Sequence, residues 1–104
     1  MEIEQHLELA RMVYPKYRWF ADDGEVVAPG VWSTIFKPSL TGSNHEKAQA
    51  LDVIVAAEKI PKFKGYSYNS EGVAAQTGTD YLTLVGARHK DILTAASLAI
   101  LESK

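Results

Sequence analysis

The chain has 104 residues, a net charge of −2, 46% hydrophobic and 23% charged residues, and no cysteine. That size and balance describe a single globular domain, residues 1–104, with an ordinary core rather than a disordered segment. The missing cysteines exclude disulfides, a cysteine nucleophile and thiolate zinc sites, and the mildly acidic balance disfavours a strongly phosphate-binding module.

The start, Met1-Glu2-Ile3-Glu4-Gln5, is acidic. It lacks the basic stretch and apolar run of a secretory signal, and no apolar run approaches the roughly 20 residues of a membrane span. The expectation is a soluble cytoplasmic protein with no membrane partner. Glu2 to Tyr14 reads as the first helix, because Ile3, Leu7, Ala10 and Tyr14 recur on one face with Val13 beside them. Pro15 ends it. Tyr17 to Phe20, the turn Asp22-Asp23-Gly24 and Glu25 to Val27 then predict a β-hairpin, since Asp-Gly between strand-like runs favours a tight turn. Pro29 to Asn44 is the least regular stretch, with room for a short edge strand at Trp32 to Phe36, where Pro38 is tolerated.

Ser43 and Glu46 fit a capping box at the start of a second helix, on which Ala48, Leu51, Ile54, Val55 and Glu58 fall at helical spacing before Pro61 stops it. Phe63 to Tyr68 reads as a strand, Asn69-Ser70-Glu71-Gly72 as its turn, and Val73 to Gln76 as a weaker strand. Thr77-Gly78-Thr79-Asp80 reads as a further turn. Tyr81 to Val85 carries the strongest strand composition in the chain. The last helix starts near His89 or Lys90, and its apolar residues, from Ile92 to Leu101, surround it so far that a central, buried position is expected. The elements predict an α+β fold of three helices and one mostly antiparallel sheet of about four strands, in the order α-β-β-α-β-β-α.

Three stretches also carry a resemblance. Leu9 to Tyr14 runs into the aromatic hairpin at Tyr17-Arg18-Trp19 and Asp22-Asp23-Gly24; Ala48 to Ala57 is an Ala-rich middle helix; Ile92 to Leu101 is an Ala/Leu-rich final helix. In this the chain resembles the small phage and prophage proteins with an α/β/α ("phage ABA") sandwich domain. The resemblance implies a phage-derived protein of the host-cell cytoplasm, without an assigned activity and with no catalytic residue to carry over.

Candidate sites follow from residue chemistry. Trp32, Ile35, Phe36 and Leu40 place four large apolar residues in a loop-like stretch, a pattern suited to contact with a partner protein; the competing account is that they complete the core. Lys64-Gly65-Tyr66-Ser67-Tyr68 resembles half of an RNA-binding strand motif, in which Tyr66 and Tyr68 would stack on bases while Lys62, Lys64, Arg88 and Lys90 meet phosphate. Its competing account is a packed sheet face and a solvated helix start. The histidines, His6, His45 and His89, show no i, i+4 spacing and read as exposed side chains, with His6 within reach of Glu2. Asp22 and Asp23 belong to a turn.

No phosphate-cradling loop, nucleophile elbow or metalloprotease helix is present, so no cofactor, metal or catalytic residue is expected. The leading expectation is a non-catalytic protein that occupies a host macromolecule, with self-association as a homo-oligomer beside it. The alternatives are a nucleic-acid module using the tyrosines and lysines above, and a small-molecule protein or enzyme with a site of unfamiliar pattern.

Overall fold

Asp23 and Gly24 both adopt positive φ, 50° and 78°, and so form the kind of two-residue turn that matches the twist of paired strands. The computed structural model describes residues 1–30 and 34–103. Around that turn, β1 (Phe20–Asp22) pairs antiparallel with β2 (Glu25–Ala28), and β2 pairs antiparallel with β3 (Thr34–Ile35). Helix α1 (Ile3–Val13) packs on β1 and β2. Helix α2 (Asn44–Glu58) starts with the expected capping box: Ser43 N donates to Glu46 Oε1 at 3.0 Å, and Glu46 N donates to Ser43 Oγ at 3.2 Å.

A second antiparallel sheet has the order β4 (Phe63–Asn69), β5 (Gly72–Gly78), β6 (Thr83–Val85). Asn69 Oδ1 accepts from Glu71 N at 2.8 Å and shapes the β4–β5 turn. Helix α3 (Ile92–Glu102) packs on β5. Its alanines, Ala95 and Ala96, are buried and let the helix approach closely, while the buried Ser97 donates to Leu93 O at 2.7 Å. The chain divides into two compact units, residues 1–52 and 53–104, and the boundary falls within α2. Among the described residues no helix is long and apolar enough to cross a membrane.

Among the described residues the fold is α+β with three helices, in the order α-β-β-β-α-β-β-β-α. It differs from the sequence expectation in having two three-stranded sheets rather than one sheet of about four strands. Every strand pairs with a neighbour in sequence, so each half of the chain completes its own small sheet. The strand with the strongest composition, Tyr81 to Val85, is a short, exposed edge at Thr83–Val85, whereas the weak candidate beginning at Val73 is the central strand with Val73 and Ala74 buried. Packing under α3, not intrinsic propensity, decides between them. The last helix starts later than expected, capped by Asp91, whose Oδ1 accepts from Thr94 N at 2.8 Å. His89 cannot join the helix because its backbone N–H and C=O are both committed to Val73.

On α2 the buried residues are Gln49, Ala50, Val53 and Ala57, while Leu51 and Val55 are exposed. Apolar residues lie on both sides of this helix, so spacing alone could not choose its inner face; the choice falls to small side chains and to one amide with backbone partners. On α1 the inner face is rotated towards Leu9 and Ala10, leaving Ile3 exposed.

Gly72 holds φ at +128°, and a Cβ there would sit 2.0 Å from His89 O. At Gly65, φ is +141° and the space is empty. Gly72→Ala combines backbone strain with a clash against a ladder carbonyl and is expected to cost about 3 kcal/mol in urea unfolding, clearly more than the roughly 1 kcal/mol expected of Gly65→Ala.

Candidate functional site

In the first unit the strand register sorts side chains between two faces. Phe20 stands opposite Val27, and Val27 opposite Ile35, so these three form one row across the sheet. Because side chains alternate, Val26 and Ala28 point the other way and are buried, and Trp19, buried as well, precedes Phe20 on that inner side. The row is the open face: Phe20 is 43% exposed and Ile35 40% exposed. Asp22, opposite Glu25, and Asp23 in the turn make the hairpin end of this face acidic.

Phe36 corrects the sequence reading. It is 1% exposed, with its ring 5.7 Å from that of Trp19 and 4.9 Å from that of His6. It is a core residue and unavailable to a partner. Ile35 and Leu40 are exposed, and Trp32 lies outside the described residues. His6 is not a free surface side chain either. Its Nε2 lies 2.7 Å from Phe36 O and, facing a carbonyl, must be the protonated nitrogen.

One buried polar side chain fixes this arrangement. Gln49, 3% exposed, donates from Nε2 to Ile35 O at 2.8 Å and accepts at Oε1 from Lys37 N at 2.7 Å. A carbonyl can only accept and an amide N–H can only donate, so the orientation of the Gln49 amide is set by its partners. Its second hydrogen then points to His45 Nε2, 3.3 Å away, which places the proton of a neutral His45 on Nδ1.

Beside Gln49 lies a cleft of about 210 Å³ lined by Tyr14, Tyr17, Trp19, His45 and Asp52 among others. Tyr14 OH donates to Asp52 Oδ2 at 2.5 Å, and burial, with the Asp52 hydrogen bond and charge behind it, holds the Tyr14 hydroxyl well above the usual tyrosine range. Tyr14 is therefore a neutral donor at physiological pH, already used by Asp52. A cleft of about 330 Å³ in the second unit has Lys62, Thr77, Glu102 and Ser103 among apolar lining residues and no paired nucleophile and base. Small-molecule sites are usually about 300–1,000 Å³ with several convergent polar groups. Among the described residues no three His, Asp or Glu side chains gather as a metal site.

The nucleic-acid candidates are scattered in their commitments. Tyr66 and Tyr68 do neighbour one another, with ring centroids 6.5 Å apart, and Tyr68 is exposed. Tyr66 instead packs edge-on against Phe63, and its hydroxyl is buried without a hydrogen-bond partner. Arg88 sits at a bulge: Gly86 N bonds Ala75 O and His89 pairs with Val73, so Ala87 and Arg88 together oppose the single residue Ala74. From there its guanidinium donates to Ser67 O, Ser67 Oγ and Gly72 O, tying down the β4–β5 hairpin rather than reaching for phosphate. Lys64 Nζ donates to Thr83 Oγ1 at 3.0 Å, and Lys62 and Lys90 are exposed. No family model, curated protein or solved structure matches the chain.

Burial first, then the charge of Glu58 and then Tyr68, pushes the Tyr66 hydroxyl up to about 12 from a normal 10.0. A raised value in the fold means that the stability linked to the neutral form is complete below about pH 10 and is lost as pH climbs towards 12. Phenolate absorbance titration is expected to show a step near pH 12 that disappears in Tyr66→Phe, while the still later step of Tyr14 stays in both proteins. At neutral pH that variant should be no less stable than the parent, and up to about 1 kcal/mol more stable, because it removes a buried hydroxyl without a partner. A clear loss of stability at neutral pH would mean that the hydroxyl is bonded.

Proposed function

We propose that this is a non-catalytic binding protein of the phage or prophage accessory kind, acting in the host cytoplasm, whose first unit docks on a host protein. The observation that carries this reading is the in-register row Phe20–Val27–Ile35, open to solvent beside the acidic Asp22, Asp23 and Glu25. An apolar row of this kind supplies the desolvated centre of an interface, and the acidic end supplies its charged rim. The complementary surface is apolar at its centre with a basic margin. Surfaces of that composition also meet nucleic acid, so occupying one would compete with a nucleic-acid ligand.

The nucleic-acid reading of the second unit has less support, because Arg88 is spent on the β4–β5 hairpin and Tyr66 is packed on Phe63. The small-molecule reading has less support, because in the cleft beside Gln49 the Tyr14 hydroxyl is already taken by Asp52.

The test is capture from nuclease-treated bacterial lysate, followed by titration of the captured protein against purified chain and its variants. One host protein with a basic margin is expected, bound at least about tenfold more weakly by Phe20→Glu and by Ile35→Glu while both variants keep the parent's circular dichroism. A partner bound equally well by the double variant would remove the row from the interface.

A further inference from the structure

Three aromatic rings meet beside the buried Gln49. The ring centroids of Tyr14 and Tyr17 lie 6.3 Å apart, those of Tyr14 and Trp19 6.1 Å, and those of Tyr17 and Trp19 5.8 Å. Their planes are inclined by 78°, 40° and 62°, so the rings form a corner rather than a stack. All three line the cleft of about 210 Å³ that His45 and Asp52 also border. Tyr14 is the C-cap of α1, Tyr17 and Trp19 lie in the short connection from it to β1, and His45 and Asp52 come from α2.

Three side chains of the lining have spent their donors inside the protein. Tyr14 OH donates to Asp52, Trp19 Nε1 donates to Tyr14 O at 3.1 Å, and the Gln49 amide hydrogens go to Ile35 O and His45 Nε2. The wall that remains is mainly negative: aromatic π systems, and a carboxylate that one hydroxyl bond leaves with acceptor capacity to spare. Asp52 is exposed, it is the acidic residue of the lining, and among the described residues no Lys or Arg joins it there. The carboxylate repels an anion. A cation without N–H groups takes no hydrogen bond, so the spent Tyr14 hydroxyl does not count against it, and it is attracted to aromatic rings and to the carboxylate alike. The cleft is smaller than the roughly 300–1,000 Å³ of a drug-sized site, which suits a compact head group.

We infer that the cleft between Tyr14, Tyr17, Trp19 and Asp52 binds a quaternary ammonium group, with the aromatic rings as its walls and the Asp52 carboxylate as its counter-ion. Such a group is carried by a free choline-like molecule or by a trimethylated lysine side chain, and the same chemistry recognises both. The site does not rest on the open row of this unit: Thr34, which lines the cleft, and Ile35, which belongs to the row, point to opposite faces of the sheet.

The test is a titration of the isotope-labelled chain with choline chloride, followed at the Trp19 indole N–H and the Gln49 side-chain amide by NMR. Both signals are expected to shift and saturate with a midpoint of about 1–10 mM. The neutral carbon isostere, 3,3-dimethylbutan-1-ol, should bind at least about tenfold more weakly, and sodium chloride should give no saturating shift. Asp52→Asn keeps an oxygen for the Tyr14 hydroxyl and removes only the charge; Tyr17→Leu removes an exposed ring and keeps an apolar side chain. Each should weaken choline at least about threefold while its circular dichroism matches the parent's. A peptide with one trimethyllysine that binds at least about tenfold more tightly than choline would assign the site to a partner's side chain, and equal binding would assign it to a free head group. Equal shifts with the neutral isostere, no saturation with choline, or unchanged binding in both variants would overturn the inference. None of these results would touch the docking reading, which is read from Phe20 and Ile35.

Discussion

The first unit depends on a buried amide. Gln49 reaches from α2 to the backbone on either side of Phe36 and holds Ile35 O and Lys37 N in the way a neighbouring strand would. A buried carbonyl and a buried N–H left without partners would each cost about 1–3 kcal/mol, so a segment with no strand on its far side needs such a bridge. The bridge also sets register. With Ile35 and Lys37 held, the residue between them must turn inward; Phe36 enters the core, His6 closes over its carbonyl, and Ile35 is left outside. A slip of one residue would exchange Phe36 and Ile35 and erase the open row.

Features that depend on a few adjacent residues were legible in the sequence. Asp23-Gly24 needed only the positive φ that those residues tolerate, and Ser43 with Glu46 needed only one helical turn. The Asn69 to Gly72 turn was legible for the same reason. What was not legible depends on contacts between residues far apart in the chain. Nothing near Gln49 marks it as buried, because its partners come from twelve and fourteen residues away. Arg88 looked like a free cation beside Lys90 because the bulge that turns it onto Ser67 is a property of the sheet. The composition of Tyr81 to Val85 pointed to the strand found at Thr83–Val85, but composition does not say whether a strand lies at the centre or the edge.

The same contrast bears on the candidate site. Of the four apolar residues in the irregular stretch, Trp32 lies outside the described residues and the other three divide between core and surface. Phe36 goes to the core, Ile35 and Leu40 go to the surface, and Phe20 and Val27 join Ile35 through strand pairing that the sequence alone could not place in register.

Backbone hydrogen exchange at Lys37 tests the central constraint most directly. Lys37 lies beyond the end of β3, so local secondary structure gives its amide no protection. With Gln49 Oε1 as its acceptor, the amide should exchange slowly, together with the core of the first unit, and lose that protection in a folded Gln49→Leu variant. Exchange at the rate of an open loop in the parent protein would contradict the account: Gln49 would not then set the register that turns Phe36 inward and Ile35 outward.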